Sequence, residues 1–417
     1  MNVNILDEAN KLMEADEVDK ALKLIEGNIT KASDDEIYWY AEFYLNWGFL
    51  QESEVLLEKL LDKYPDESEV KLLLTDIYIE QQADEKAIEL LNSIPEEDDA
   101  YLQALVALAD LYQAQGLYEV AEQKLILAKE INPGEPVIDL GLGELYYSLG
   151  DFKRAITFYE KTLKIDVPTI PIHERLAECY ANVGEYELAV TYYEKVKDMS
   201  PDTMFKYGFT AYQADRKDIS INIWKELIEE DPYYHNAYIQ LAKAYEDEEL
   251  IQDAYETALQ GLKMDEFNKE LYFLAGSLAH KCNLDEDSER LVREAVNLDA
   301  DYKEAVLFLI EFLKERERYE EVIELIQVVK ETGGDDPLYD WEIARAYNEI
   351  ESYNNALNYY QEAYNSLQHD SDFLKEYGYF LTEEGRTEEA LNVFSSYLQL
   401  DPQDDEIEEY VNRLKQM

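Results

Sequence analysis

LQALVALADLYQAQGLYEVAEQKLILAKEINPGE, residues 102–135, is the stretch that decides the fold. Leu105, Leu108, Ala109, Leu111 and Tyr112 recur at helical spacing and fall on one face. Gly116 then predicts a helix stop, because glycine takes the left-handed conformation that ends helices without a steric penalty. A second amphipathic run places Val120, Ala121, Leu125 and Ala128 inward, and Asn132-Pro133-Gly134 closes it. The stretch predicts two antiparallel helices joined by a tight turn. Ala109 and Ala121, twelve residues apart, are small enough to let those helices cross closely.

Working outward, the same pair recurs along the chain, almost always at a period of 34. The first member is Ala9, Ala41, Thr75, Ala109, Gly143, Ala177, Gly208, Ala242, Gly276, Ile310, Ala344 and Gly378. The second is Ala21, Ser53, Ala87, Ala121, Ala155, Ala189, Ser220, Ala254, Ser288, Val322, Ala356 and Ala390. A fixed period of this length predicts stacked helical hairpins, each burying its apolar face against its neighbours. After the last unit, Ile407, Tyr410, Val411 and Leu414 predict one more amphipathic helix, which would cover the final apolar face.

The positions resemble the tetratricopeptide repeat (TPR). Its pattern of a large apolar residue, a small one, Tyr, Gly, Ala, an apolar residue, Ala and Pro is met by Leu108, Ala109, Tyr112, Gly116, Ala121, Leu125, Ala128 and Pro133. It is met again by Leu176, Ala177, Tyr180, Gly184, Ala189, Tyr193 and Pro201, and Tyr44, Tyr78, Tyr146, Tyr245 and Tyr347 fill the tyrosine slot elsewhere. The resemblance covers essentially the whole chain and is similar to that of the long acidic TPR proteins of Gram-positive bacteria. It implies an all-α, right-handed superhelical solenoid of about twelve repeats with a C-terminal capping helix. These Tyr, Ala and Gly residues are assigned to packing, not function.

Two irregularities divide the expected array. The step from the sixth repeat to the seventh is 31 residues, which predicts a changed stacking angle near Pro201. The organisation expected is therefore an N-terminal arm of six repeats over 2–200, a C-terminal arm of six over 201–404, and a capping helix over 405–417. In the tenth repeat Ile310 and Val322 occupy both small positions, so its helices should cross at wider spacing.

The formal charge is −57, with 94 acidic and 37 basic residues. Residues 1–200 carry 43 acids and 17 bases, leaving 51 and 20 beyond, so the acidity is spread evenly. Such a field repels nucleic acid and anionic membranes and attracts basic proteins or peptides; it equally serves to keep a long helical array soluble. No run approaches a membrane span and the N-terminus has no basic-then-apolar leader, so a cytoplasmic location and no membrane insertion are expected. Cys179 and Cys282 lie in different repeats, which argues against a disulfide.

Enzyme signatures are lacking in the sequence. His173, His235, His280 and His369 fall in separate repeats or joints and cannot converge on a metal, and no zinc-protease, phosphate-loop, dinucleotide or nucleophile-elbow string occurs. The acidic clusters at 285–287 and 335–336 lack the alternating ligands of a calcium loop. No catalytic residue, cofactor or metal is expected.

The TPR resemblance implies that first helices line a concave surface and meet ligands from positions three before and one after the small residue. Three before, the chain offers Tyr38, Leu72, Val106, Leu140, Phe205, Phe273 and Trp341. One after, Glu42, Asp76, Asp110, Glu144 and Glu178 make an unbroken run of carboxylates in repeats two to six, and Phe209 and Arg345 follow in the second arm, where Tyr212 adds a further aromatic. The expectation is a protein-binding groove that takes a basic amphipathic peptide of a partner protein. The acids argue against the Lys- and Asn-lined grip on C-terminal carboxylates that some TPR domains use. Three readings stand side by side: a non-enzymatic, monomeric scaffold or adaptor; a peptide receptor whose superhelix changes shape on binding; and a self-assembling element, which the charged terminal helix disfavours.

Overall fold

The computed structural model describes residues 3–163 and 170–416, and among them there are helices and no strand. The chain divides into two compact units, Met1–Asp198 and Met199–Met417. Asn2, where the array was expected to begin, and Met417, where the cap was expected to end, lie outside the described residues.

The first unit holds six hairpins. They are α1 (Val3–Glu14) with α2 (Val18–Ile29), α3 (Asp34–Asn46) with α4 (Leu50–Lys63), and α5 (Ser68–Glu80) with α6 (Asp84–Asn92). Next come α7 (Tyr101–Ala114) with α8 (Tyr118–Ile131), α9 (Pro136–Ser148) with α10 (Phe152–Thr162), and α11 (Ile172–Asn182) with α12 (Tyr186–Tyr193).

The second unit continues in the same way. It contains α13 (Pro201–Gln213) with α14 (Lys217–Glu230), α15 (His235–Asp247) with α16 (Ile251–Met264), and α17 (Lys269–Lys281) with α18 (Asp285–Leu298). It closes with α19 (Lys303–Lys314) and α20 (Tyr319–Glu331), α21 (Pro337–Glu349) and α22 (Tyr353–Leu367), α23 (Ser371–Glu383) and α24 (Thr387–Leu400), then α25 (Asp405–Leu414). Within each unit a helix packs on its hairpin partner and on the next hairpin, so the core is a strip of neighbour contacts. This is an all-α solenoid.

One backbone device sets every hairpin turn. Asp16, Gly48, Gln82, Gly116, Gly150, Gly184, Asp215, Glu249, Asn283, Glu317, Glu351 and Gly385 all have positive φ, between 57° and 83°. The next residue donates its N–H back to a carbonyl near the end of the first helix, as in Leu117 N to Tyr112 O (2.8 Å) and Leu250 N to Tyr245 O (2.8 Å). That six-to-one bond satisfies a carbonyl the helix end would leave unpaired. Its acceptor is the tyrosine slot in seven hairpins, so the slot residue anchors the turn by its backbone while its ring packs.

All the small residues of the two series are buried. Ser53 Oγ donates to the Ala41 carbonyl at 2.7 Å, which fixes one of the close crossings. Glycines in the first series admit a large side chain sixteen residues on. A Cβ at Gly143 would stand 2.8 Å from the Tyr159 ring, one at Gly378 2.6 Å from Phe394, and one at Gly208 would collide with the Trp224 indole. Where Ile310 and Val322 replace small residues, the backbones of α19 and α20 approach each other less closely than those of the other hairpin pairs, in keeping with a wider crossing.

The last apolar face is covered by α25. Ile407, Val411 and Leu414 are buried, and Tyr410 packs against Phe394 and Tyr379. Asp404 caps the helix by accepting from Ile407 N (3.1 Å) and also takes the Lys375 ammonium (2.9 Å) and the Tyr397 hydroxyl (2.7 Å). These donors hold its carboxyl well below the usual carboxylate range.

Candidate functional site

The small residue of each first helix faces its hairpin partner. At about 100° per residue, the position three before lies about 60° round from it and the position one after about 100° round. The first should therefore be half-covered and the second open. In the first unit Tyr38, Leu72 and Val106 are half-buried, whereas Glu42, Asp76 and Asp110 are exposed. Within this unit α3 touches α5 and α7 touches α9 directly, which brings Glu42 beside Asp76 and Asp110 beside Glu144 on neighbouring helices.

Among the described residues, no lysine or arginine pairs with Glu42, Asp76 or Asp110. Burial first, then the charges of Glu42, Glu69, Asp76 and Glu67, raises the Tyr38 hydroxyl, which locates that ring among carboxylates from α3 and α5. Asp76 is raised by burial and by Glu80. Asp110 is pushed up to about 6, by desolvation first and by Glu144 second. A side chain that solvent reaches, yet whose charge is desolvated, is what an inward-curving surface produces.

The run of five carboxylates predicted from sequence is corrected to three open ones. Glu144 accepts from the Tyr159 hydroxyl (2.6 Å) and from Arg175 Nε (3.3 Å). Glu178 is buried; it accepts from the Tyr147 hydroxyl (2.5 Å) and lies 3.5 Å from Arg175 Nη1. The Arg175 guanidinium stacks 4.5 Å from the Tyr147 ring centroid, so one cation closes the far end of the line. Leu140 is corrected too. It is buried in the apolar cluster with Leu105 and Ile172, because an apolar side chain at this angle is drawn between successive first helices.

In the second unit some of the equivalent positions are engaged internally, while Phe209, Lys243 and Glu311 are exposed. Trp341 is buried and its Nε1 donates to Glu376 (2.8 Å), which also accepts from Tyr360 (2.8 Å) and from Arg345 Nη2 (2.6 Å). Arg345 stacks 3.9 Å from the Trp341 ring and also pairs with Glu342 (2.7 Å). Trp341 is therefore covered, whereas Arg345 keeps about a third of its side chain exposed while it is tied to Glu376 and Glu342. Phe205 packs on Tyr234, Phe273 on Tyr302 and Phe308, and Tyr212 donates to Asp247. Phe209 alone of the named second-unit aromatics is openly exposed.

Sequence reasoning missed Arg175, which lies two before its small residue, and it missed Trp39 and Tyr64. Trp39 is 43% exposed and Tyr64 42% exposed, and both border a cleft between α3, α4 and α5. Solvent-exposed tryptophan is uncommon, and Trp39 follows Tyr38 directly, so the adjacent aromatic pair was the available signal. Among the described residues, no helix is long and apolar enough to cross a membrane and no group of His, Cys, Asp and Glu side chains is placed to hold a metal. Cys179 and Cys282 are free thiols.

Comparison with known proteins adds an independent line. Residues 337–404 match YpiA-like C-terminal tetratricopeptide repeats and residues 113–167 match YpiA-like tetratricopeptide repeats. General tetratricopeptide repeats match 50–109 and 170–203. The TPR repeat-containing protein YpiA of Bacillus subtilis (strain 168) is 39% identical over 415 residues, spanning 99% of this chain and 98% of its own length. Among solved structures, YrrB, a TPR protein with an unusual peptide-binding site, overlaps 43% of this chain and 95% of its own at 16% identity and a TM-score of 0.38. A chain of the APC/C hetero-tetramer Cut9-Hcn1 overlaps 97% of this chain and 95% of its own at 11% identity and a TM-score of 0.36. Structural overlaps this low carry no residue-by-residue correspondence.

Proposed function

The chain belongs to the YpiA-like family of tetratricopeptide-repeat proteins, and from that premise we propose that it is a non-enzymatic scaffold holding a basic, amphipathic segment of a partner protein along its first unit. The observation that carries this reading is the open line of Glu42, Asp76 and Asp110 beside the half-buried Tyr38, Leu72 and Val106. Unpaired carboxylates next to apolar side chains complement a segment with cations on one side and apolar groups on the other. Adjacent packed helices lie about 8–10 Å apart. A partner would meet successive carboxylates with Lys or Arg at about every third residue if extended, or about every seventh if helical. Long-range attraction from the net charge of −57 would speed the encounter.

The test is a fluorescence-anisotropy titration of a labelled, lysine-rich amphipathic peptide at low and at high salt. Joint substitution of Glu42→Gln, Asp76→Asn and Asp110→Asn should weaken low-salt binding at least tenfold and flatten its salt dependence. Equal binding by the variant would refute the groove as the site.

A further inference from the structure

Beside the open carboxylates, α3, α4 and α5 line an open cleft of about 560 Å³ between the second and third hairpins of the first unit. Its walls are aromatic: Tyr38, Trp39 and Tyr64. Its rim carries three exposed carboxylates, Asp35, Glu67 and Glu69, which pair with no cation among the described residues. A fourth, Asp34, is satisfied by Lys63 and by the Tyr64 hydroxyl (2.7 Å), and the Lys63 ammonium lies 5.0 Å from the Tyr64 ring centroid. One wall thus already holds a cation between an aromatic face and a carboxylate.

We propose that this cleft is the anchoring subsite for an arginine side chain of the basic segment, an inference that rests on the groove function above. An apolar guest would fill the aromatic walls but would desolvate the carboxylate rim without compensation. A cation meets both needs, by resting on the ring faces and pairing with the rim. Arginine fits better than lysine, because its planar guanidinium stacks on a ring while its edge donates to carboxylates. Tyr38 belongs to both features: it lines the cleft with Glu67 and Glu69, and it lies on α3 one turn before the open Glu42. An arginine seated here would fix the register in which the following cations meet Glu42, Asp76 and Asp110.

The experiment compares two basic amphipathic peptides that differ at one position, arginine or its neutral isostere citrulline, titrated into the full chain. With the natural residues in place, the citrulline peptide should bind at least tenfold more weakly. In Trp39→Ala, and separately in Glu67→Gln with Glu69→Gln, that difference should fall below twofold. All three residues are exposed, so the fold should withstand the changes. Equal binding of the two peptides, with both weakened by the groove substitutions, would overturn the arginine subsite and leave the groove standing. An arginine preference that persists in the cleft variants would also overturn it, since the contact would lie elsewhere. Failure of both peptides to bind at all would overturn both readings.

Discussion

The two units repeat one hairpin but place their few cations differently along the first-helix stripe. In Met1–Asp198, Glu42, Asp76 and Asp110 stand open with no cation beside them. In Met199–Met417, equivalent or adjacent positions are tied across successive hairpins: Arg345 to Glu376 (2.6 Å), Lys314 to Glu342 (2.9 Å) and Lys375 to Asp404 (2.9 Å). The outer helices there are laced as well, with Arg318 on Glu289 at 2.6 Å. Net charge does not explain the contrast, because both halves of the sequence are strongly acidic. What differs is where the few cations are placed. The same stripe of a repeat can serve cohesion or remain available to a partner.

The sharpest way to break this comparison is to remove a cohesive charge from one unit and an open charge from the other. Arg345→Met strips Glu376 and Glu342 of their main partner and should destabilise the second unit by about 3 kcal/mol in urea unfolding, since a half-buried carboxylate is left uncompensated. Glu42→Gln with Asp76→Asn should stay within about 0.5 kcal/mol of the parent. Equal losses would erase the distinction.

A smaller effect checks that the scaffold beneath is shared. Gly208→Ala drives a methyl into the buried Trp224 and Gly143→Ala drives one into Tyr159. Each should lose about 1–2 kcal/mol, an overpacking cost partly offset by the better helix propensity of alanine. The turns sharpen the comparison further. Glycine fills most positive-φ turns within the hairpins of the first unit, whereas Gly385 is the single one among the hairpin turns of the second. Glu249→Gly should therefore stabilise by about 1 kcal/mol, and Gly116→Ala, whose added Cβ meets nothing within 4 Å, should destabilise by about the same.

The smallest effect is electrostatic. Asp110 has its folded-state carboxyl raised to about 6, so its charged form opposes folding above that pH. The opposition is relieved as pH falls through about 6 towards the unfolded value. Asp110→Asn should stabilise at pH 7, by no more than about 1 kcal/mol because solvent screens an exposed group, and the gain should vanish near pH 4. A gain that grew on acidification would have the wrong sign.

Most of the fold was legible because it is written as spacing. The paired small residues, the tyrosine slot and the terminal apolar set of Ile407, Val411 and Leu414 all lie where the period puts them. Turn chemistry was half legible: Gly116 announces its turn, but Gln82, Glu317 and Glu351 adopt the same left-handed conformation with no signal of their own. The candidate site was less legible, for a physical reason. Whether a carboxylate is open depends on a cation one hairpin away, as Arg175 shows by engaging Glu144 across 31 residues. Burial of Leu140 and Trp341 likewise depends on how the next first helix seats, and no single repeat encodes that.

Carbodiimide footprinting of carboxylates, read by mass spectrometry with and without a bound basic peptide, tests the contrast most directly. Without peptide, Glu42, Asp76 and Asp110 should label quickly, and Glu178, Glu342 and Glu376 slowly. With peptide, the three fast sites should become protected while the second unit stays unchanged. Protection centred on Glu311, Glu342 and Glu376, with Glu42, Asp76 and Asp110 still labelling freely, would contradict the account.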